Sequence, residues 1–376
     1  MSELIKHSSN FLAAISPDND CSITATNDFE AMMSWLNGYK KKPINTSRNY
    51  AREVKRYLIW LSCQGLTLAQ VKIEDVYEYF NLLERPTTEW IIPDKKTDKI
   101  YPTQLIKYGG LSNRSINYTH TVLGLFYSFL QDAGYLTKNP INLVKKASAT
   151  TESEQYRHLD LPAWQTLWTW ILGYENRVIT EDQPAKMIKK ASRYRWVFAL
   201  LYHSGIRCAE AANALMSDLV RKNNTWSLKV TGKGNKMRLV TVNSLLLKEL
   251  IHYRRSLLLT DYPSSHDDTP LIVSIQKNRQ GSMTTRTLSS LIKEVTELVC
   301  ADCQDDQITR QIETMTTHWL RHTNATHRFM AGASLETTQD ELGHADPRTT
   351  RIYAKTSNEK RKLDAERLAD LFDGIG

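Results

Sequence analysis

The chain has 376 residues, 41% apolar and 24% charged, which is typical of a soluble globular protein long enough for two domains with well-buried cores. Lysine and arginine total 49 against 41 aspartates and glutamates, and the resulting formal charge of +8 favours polyanions such as nucleic acid, although charge alone is weak evidence. No stretch is apolar enough to span a membrane, and the N-terminus lacks the hydrophobic segment of a cleavable signal peptide, which argues against membrane and secreted classes.

The cysteines are five in number and scattered, which predicts a reducing compartment and therefore a cytoplasmic protein. Cys300 and Cys303 form one C-x-x-C pair. A zinc site needs about four ligands, and no second pair has suitable spacing. We therefore expect incidental thiols and no bound metal.

Residues 1–25 are expected to be loosely structured, and an all-helical domain is predicted to follow over 26–145. Its first helix begins at the cap Asn27, with Glu30 at the third helical position, and is broken at Gly38. A second cap at Thr46 precedes a helix over 47–63, and two more are predicted over 73–83 and 112–133. Residues 87–110 are interpreted as a long loop or small β excursion, and 146–157 as a linker.

One face of the predicted helix over 47–63 is basic and follows a run of lysines. A solvated charged face is the usual explanation, but like charges four residues apart on a helix repel one another without a counter-charge. A phosphate backbone would supply that counter-charge, so we favour DNA contact. The residues concerned are Lys40, Lys41, Lys42, Arg48, Arg52, Lys55 and Arg56.

In the second half, amphipathic or apolar patterns predict helices over 161–172, 195–203, 245–259, 288–301 and 318–332, with a polar, irregular segment over 173–192. Residues 225–242 alternate with a period of two around G-K-G-N-K, which predicts a β-hairpin with a lysine at its tip. Residues 271–274 are interpreted as a short strand. The spacing of a phosphate-binding P-loop is absent from the hairpin turn, so nucleotide binding is not expected there.

Residues 317–355 concentrate side chains that suit chemistry on a phosphate. A guanidinium binds two phosphate oxygens at once, imidazoles move protons near neutral pH, and a tyrosine oxygen can attack phosphorus and hold it covalently. The side chains are those of His318, Arg321, His322, His344 and Tyr353. Three- and four-residue spacings return to one side of a helix, which aims His318 and Arg321 at one target.

Four segments in this order resemble the tyrosine recombinase, or phage-type integrase, family. They read HSGIRCAEAANAL, TGKGNKMR, HWLRHTNATHRFMAGA and LGHADPRTTRIYA, and the resemblance covers about residues 155–356. It implies a mainly α fold with a small antiparallel β-sheet, in which a helical core-binding-like domain (26–145) and a mixed α+β catalytic domain (158–356) form a C-shaped clamp on DNA. It also implies a site-specific recombinase that cleaves and rejoins strands through a 3′-phosphotyrosine, in DNA integration, excision or resolution.

The resemblance implies a role for each principal site residue. Arg207 and Arg321 would clamp the scissile phosphate, whose pentavalent transition state gathers negative charge on its equatorial oxygens. Tyr353 would attack phosphorus, and Lys233 would protonate the leaving 5′ oxygen. His344 would support the phosphate.

Supporting roles are also implied. His318 would assist proton transfer at the tyrosine, and Glu210 would orient a neighbouring cationic or imidazole group. Lys236 is an alternative to Lys233 as the hairpin acid, because both flank the same turn. His322 is interpreted as structural.

The resemblance further implies that no cofactor, metal or ATP is needed, since one ester is exchanged for another. The implied partners are double-stranded DNA and a homo-tetramer on two DNA sites, or a hetero-tetramer with related recombinases, located at the nucleoid. The amphipathic tail 357–376 either packs on its own domain or docks on a neighbouring subunit. The main alternative functions are those of a type IB topoisomerase and of a DNA-binding protein that cleaves nothing. A phosphatase or nuclease is a weaker alternative, because it would not need the basic first domain.

Overall fold

The structure, a computed structural model, describes residues 21–92, 103, 105–147, 158–232, 236–274, 281–343 and 350. The chain divides into two compact units, Met1–Ser153 and Glu154–Gly376, and this division falls within residues 146–157. In the described ranges the fold is mainly α-helical with one small antiparallel sheet, so the predicted fold class is confirmed. Most of the predicted loose segment 1–25 and the whole tail 357–376 lie outside the described residues.

The described part of the first unit contains four α-helices and two short 3₁₀ turns. The helices are α1 (Asp28–Asn37), α2 (Ile44–Gln64), α3 (Ile73–Glu84) and α4 (Asn113–Asp132), and the 3₁₀ turns are Thr88–Trp90 and Pro140–Leu143. The predicted cap of α1 is confirmed, because the Asn27 side chain accepts the amide of Glu30 at 2.9 Å. The predicted cap at Thr46 is wrong: α2 starts earlier, behind Pro43, whose ring fixes a φ compatible with a helix start.

The core of the first unit contains several contacting aromatic side chains. Trp35 stacks on Tyr50 with ring centroids 5.4 Å apart, and the hydroxyls of the buried Tyr57 and Tyr127 lie 3.1 Å from each other. Each buried hydroxyl thus has a polar partner, as burial requires. In the stretch 87–110, the described residues include an isolated parallel bridge between Ile91 and Ile106, which fits the predicted small β excursion.

The described part of the second unit contains eight α-helices and three strands. The helices are α5 (Leu161–Thr180), α6 (Ala185–Ser204), α7 (Cys208–Asn213), α8 (Ser244–Ser256), α9 (Thr285–Asp302), α10 (Asp306–Glu313), α11 (Thr317–Met330) and α12 (Leu335–Leu342). The strands are β1 (Leu219–Lys222), β2 (Thr225–Thr231) and β3 (Met237–Val242). Helix α6 is the centre of this unit and packs against α5, α8 and α11.

The three strands form one antiparallel sheet in the order β1-β2-β3. Leu228 on β2 pairs with Val240 on β3, and both are buried, so the alternation seen in the sequence does mark an inward face and the predicted hairpin is confirmed. Strand β1 was not predicted. The predicted strand over 271–274 is wrong, since these residues contribute only an isolated bridge between Val273 and Ser282.

The prediction of an irregular segment over 173–192 is wrong. Helix α5 continues to Thr180 and α6 already begins at Ala185, so most of this stretch is helical. Two of its polar residues, Glu175 and Ser192, are buried in the protein. The buried carboxylate of Glu175 accepts hydrogen bonds from Ser192 at 2.6 Å, Arg195 at 2.9 Å and His252 at 2.7 Å.

Among the described residues, no helix is both long enough and apolar enough to cross a membrane. Within the same ranges, no group of three or more histidine, cysteine or acidic side chains is arranged to hold a metal ion.

Candidate functional site

Arg321 is the buried centre of the candidate site. It lies on α11, it is only 2% exposed, and its two terminal nitrogens donate to main-chain carbonyls, Nη1 to Gly205 at 2.7 Å and Nη2 to Leu342 at 2.6 Å. These carbonyls end α6 and α12, so one guanidinium joins three helices. The positive charge of Arg321 therefore lies where three helices that are far apart in sequence meet.

The turn at Gly205 places Arg207 beside this point. Gly205 has a φ of +62°, and a Cβ added there would lie 2.6 Å from Oδ1 of Asn324 and 2.8 Å from Leu342, so glycine is required for both reasons. Two residues later, Arg207 occupies the N-cap position of α7. Its side chain is 38% exposed, unlike that of Arg321, and thus remains accessible to a ligand.

Glu210 fixes the start of α7 and holds Arg207. One carboxylate oxygen, Oε2, accepts the main-chain amide of Arg207 at 2.8 Å, and the other, Oε1, accepts its Nη1 at 3.0 Å. The predicted supporting contact between this acidic residue and a cationic neighbour is therefore present. Burial acts to raise the pKa of the Glu210 carboxyl, but hydrogen bonds from Arg238 and Arg207 outweigh it and leave the pKa below its usual value.

Arg238 stands in the TGKGNKMR segment, but no role is predicted for it from the sequence. Its guanidinium binds both oxygens of Glu210, at 3.0 and 2.9 Å, and its Nε donates to the carbonyl of Glu341 at 3.1 Å. A signal was present in the strand pattern. Position 238 shares a face of β3 with the buried Val240 and Val242, and a cation on an inward face needs an acidic partner.

Two histidine rings lie on α11 next to the arginines. The rings of His318 and His322 meet edge to face with centroids 4.3 Å apart. Partial desolvation, and then the charges of Arg321 and Arg207, lower the pKa of His318 below its usual value. Desolvation, followed by the effects of His318 and Arg321, lowers the pKa of His322 to about 4. Both imidazoles are therefore neutral at pH 7, and a neutral ring can accept a proton.

The remaining predicted catalytic residues, Lys233, His344 and Tyr353, lie outside the described residues. Gly232 and Gly343, the described neighbours of Lys233 and His344, do reach the site. At the hairpin, the amide of Gly232 donates to the carbonyl of the exposed Lys236 at 2.8 Å and closes the turn. Before residue 344, Gly343 ends α12 with a φ of +64°, and a Cβ there would lie 2.8 Å from Cδ of Arg238.

In the first unit, the basic residues predicted to contact DNA divide into two groups. Six of them are exposed or partly exposed: Lys40, Lys41, Lys42, Arg48, Arg52 and Lys55. The seventh, Arg56, is 4% exposed, and its assignment to this face is wrong. Its guanidinium binds the buried Glu53, the hydroxyl of Tyr79 at 3.2 Å and that of Thr119 at 3.1 Å, so it is a structural ion pair.

Known proteins are similar in sequence to this chain. The sequence profile of the phage integrase family matches residues 177–360. The chain is 26% identical over 337 residues to the tyrosine recombinase XerC of Listeria monocytogenes (strain HCC23), a match that covers 89% of this chain and 94% of the relative. It is 29% identical over 253 residues to the tyrosine recombinase XerA of Pyrococcus horikoshii, covering 66% of this chain and 80% of the relative.

Solved structures show the same fold. The post-cleavage complex of the XerH site-specific recombinase with a palindromic difH substrate superimposes with a TM-score of 0.60 at 17% identity, covering 91% of this chain and 84% of that one. The Tn1549 transposon integrase in complex with a circular intermediate DNA gives a TM-score of 0.60 at 15% identity, over 90% of this chain and 98% of that one.

Proposed function

The chain belongs to the tyrosine recombinase, or phage integrase, family, and on this premise we propose that it cleaves and rejoins DNA strands at specific sites through a 3′-phosphotyrosine intermediate. One observation carries the proposal. Arg321 binds the carbonyl of Gly205, two positions before Arg207, although 114 positions separate the two arginines, and after desolvation the charges of both lower the pKa of His318. Two guanidiniums beside a neutral imidazole suit a phosphodiester that is attacked by a weakly acidic hydroxyl.

The arginines bind and stabilise the scissile phosphate. As phosphorus becomes pentavalent, negative charge grows on the non-bridging oxygens, and donors fixed in advance stabilise that charge without reorganising. Arg321 is held rigidly by two carbonyls, whereas Arg207 is more exposed and offers the outer contact. His344 contributes a further hydrogen bond to the phosphate in this proposal.

The chemical step exchanges one phosphodiester for another. The phenolic oxygen of Tyr353 forms a bond to phosphorus while the bond from phosphorus to the 5′ oxygen breaks. His318 accepts the tyrosine proton, which its lowered pKa permits at neutral pH, and Lys233 gives a proton to the departing 5′ oxygen. The reverse step, with the 5′ hydroxyl of a partner strand as nucleophile, rejoins the DNA and releases the tyrosine.

Double-stranded DNA is the proposed partner of both units. Residues 158–356 carry the catalytic groups, and residues 26–145 bind DNA through the exposed lysines and arginines near the start of α2. A DNA partner is supported by the solved relatives, since the XerH structure is a complex with its difH substrate. We further propose that four subunits assemble on two DNA sites in the cytoplasm, at the nucleoid, and that they are either copies of this chain or this chain with related recombinases.

A suicide substrate tests the proposal. In a duplex nicked just downstream of the cleavage position, attack releases a short fragment that carries the free 5′ hydroxyl. The fragment diffuses away, so the covalent protein–DNA product accumulates and migrates more slowly on a denaturing gel. We expect wild type to form this product and Tyr353→Phe to form none, whereas Tyr108→Phe, at an exposed tyrosine of the first unit, behaves as wild type. A covalent product formed by Tyr353→Phe contradicts the assignment. Relaxation of plasmids without recombinant joints would instead identify a topoisomerase.

A further inference from the structure

We propose that Arg238 is a positioning residue for strand transfer: it neutralises Glu210 and fixes its carboxylate, so that Arg207 keeps both its orientation and its charge for the scissile phosphate. The inference rests on the proposed function, because it assigns a task within the same site. It adds to that site a residue that touches neither phosphate nor tyrosine.

The sharing of one carboxylate is the first part of the argument. Oε1 of Glu210 accepts from Nη1 of Arg207 and from Nη1 of Arg238, each at 3.0 Å. Oε2 accepts the amide of Arg207 at 2.8 Å and Nη2 of Arg238 at 2.9 Å. Every contact between Glu210 and Arg207 therefore uses an oxygen that Arg238 also holds. Arg207 reaches the carboxylate with one main-chain and one side-chain donor, whereas the bidentate guanidinium of Arg238 binds both oxygens with one rigid, planar group.

The charge of the cluster is the second part. An acidic side chain paired with Arg207 alone would cancel the positive charge that the phosphate needs. Glu210 is 4% exposed and Arg238 14%, so these two form the inner, more buried pair, while Arg207 at 38% stands outside. Charges interact more strongly where water is excluded. Arg238 thus balances Glu210, and the three side chains together retain one positive charge.

The attachment of Arg238 to a third element is the last part. Its Nε donates to the carbonyl of Glu341 at the end of α12, and its side chain fills the space that a Cβ on Gly343 would need. The guanidinium is therefore held from two sides, by a carboxylate on α7 and a carbonyl on α12. A lysine at this position would provide the charge but could not make both sets of contacts.

Single-turnover cleavage of the suicide substrate at saturating DNA separates this role from simple stabilisation of the fold. We expect Arg238→Gln to slow covalent product formation by about a hundredfold, with the DNA dissociation constant changed by no more than about threefold. Arg238→Lys should fall between this variant and wild type, because it restores charge without the bidentate geometry. Adding Glu210→Gln to Arg238→Gln should recover part of the rate, since the uncancelled acid is then removed.

Arg195 offers a matched control in the same unit. Its guanidinium also binds buried carboxylates, Glu249 at 2.5 and 2.9 Å and Glu175 at 2.9 Å, and it is 16% exposed. Arg195→Gln should lower the melting temperature as Arg238→Gln does, but folded protein should cleave within about threefold of the wild-type rate.

The inference is overturned if Arg238→Gln cleaves as fast as wild type, if Arg195→Gln slows cleavage equally, or if removing the Glu210 charge recovers nothing. These results are distinct from failure of the proposed function, in which wild type itself forms no covalent product.

Discussion

Arg321 and Gly205 are joined by a hydrogen bond of 2.7 Å from the guanidinium to the main-chain carbonyl, although 116 positions separate them. The second terminal nitrogen binds the carbonyl of Leu342, so the charge is balanced by oriented dipoles. Because carbonyls carry only partial charges, these two contacts orient the guanidinium without placing a formal negative charge beside it.

Replacement of Arg321 by lysine should abolish this arrangement, since an ammonium cannot span the two carbonyls. We expect covalent cleavage to fall by at least about a hundredfold and the protein to lose about 2 kcal/mol of stability. Single-turnover cleavage and urea denaturation measure the two effects. Arg254→Lys is the control: that arginine is equally buried but binds Asp267 and the loop carbonyls of Thr260 and Tyr262, so it should lose stability without a comparable loss of cleavage by the folded fraction.

Gly205→Ala should damage the same site through the backbone. A left-handed conformation costs a residue with a side chain about 1–2 kcal/mol, and the new Cβ would also press on Asn324 and Leu342. Gly65→Ala has a similar φ of +67° with no heavy atom within 4 Å of the added carbon, so it should show the conformational cost alone. We expect Gly205→Ala to lower the melting temperature more than Gly65→Ala does. Only Gly205→Ala should also lose cleavage. Equal effects of the two substitutions would mean that the close contacts are unimportant.

The histidines predict a loss of stability in acid. The pKa of His322 is about 4, whereas an unfolded histidine titrates near 6.5. Between these values the unfolded chain binds a proton that the folded chain does not. His322 therefore leaves the free energy of unfolding unchanged above about pH 6.5 and lowers it as the pH falls toward about 4. Urea denaturation at several pH values should therefore show a weaker decline for His322→Gln than for wild type. The exposed His266→Gln should leave the decline unchanged.

Substitutions of Arg52 and Arg56 should have different effects, the first on DNA binding and the second on stability. Arg56→Gln leaves the buried Glu53 without its main partner and should cost about 3 kcal/mol. Arg52 also touches Glu53 but is 65% exposed, so Arg52→Gln should change stability little. Instead it should weaken DNA binding at every sequence and lower the slope of log affinity against log salt by about 1. Unchanged binding and salt dependence for Arg52→Gln would remove it from the DNA-contacting face.

Features set by neighbouring residues were predictable from the sequence. The cap at Asn27 and the hairpin over 225–242 depend on residues within one turn or one strand pair, so a short stretch of sequence is enough to predict them. The errors concern partners distant in sequence. Glu175 was predicted to lie in an irregular segment, because its partners Arg195 and His252 are distant in sequence. Arg56 was predicted to lie on a DNA-contacting face, because its partner Thr119 is distant as well.

The candidate site shows the same limit. Arg207, Arg321 and His318 were predicted from their segments and do lie together. Arg238 was overlooked because its partner, Glu210, precedes it by 28 positions and belongs to another segment. Pairings of this kind follow from the tertiary fold, which brings α7 beside β3, rather than from periodicity.

Strand β3 and the end of α12 are fastened at two separate points. Arg238 holds the Glu341 carbonyl, and Thr241 donates its amide and its hydroxyl to the Glu341 carboxylate, the latter at 2.7 Å. Anything that pulls the C-terminal end of α12 must therefore break these bonds or drag β3 with it. Residue 344 directly follows this helix end, and residues 233–235 lie just before β3. A force applied at the end of α12 is thus transmitted mechanically to β3 through these bonds.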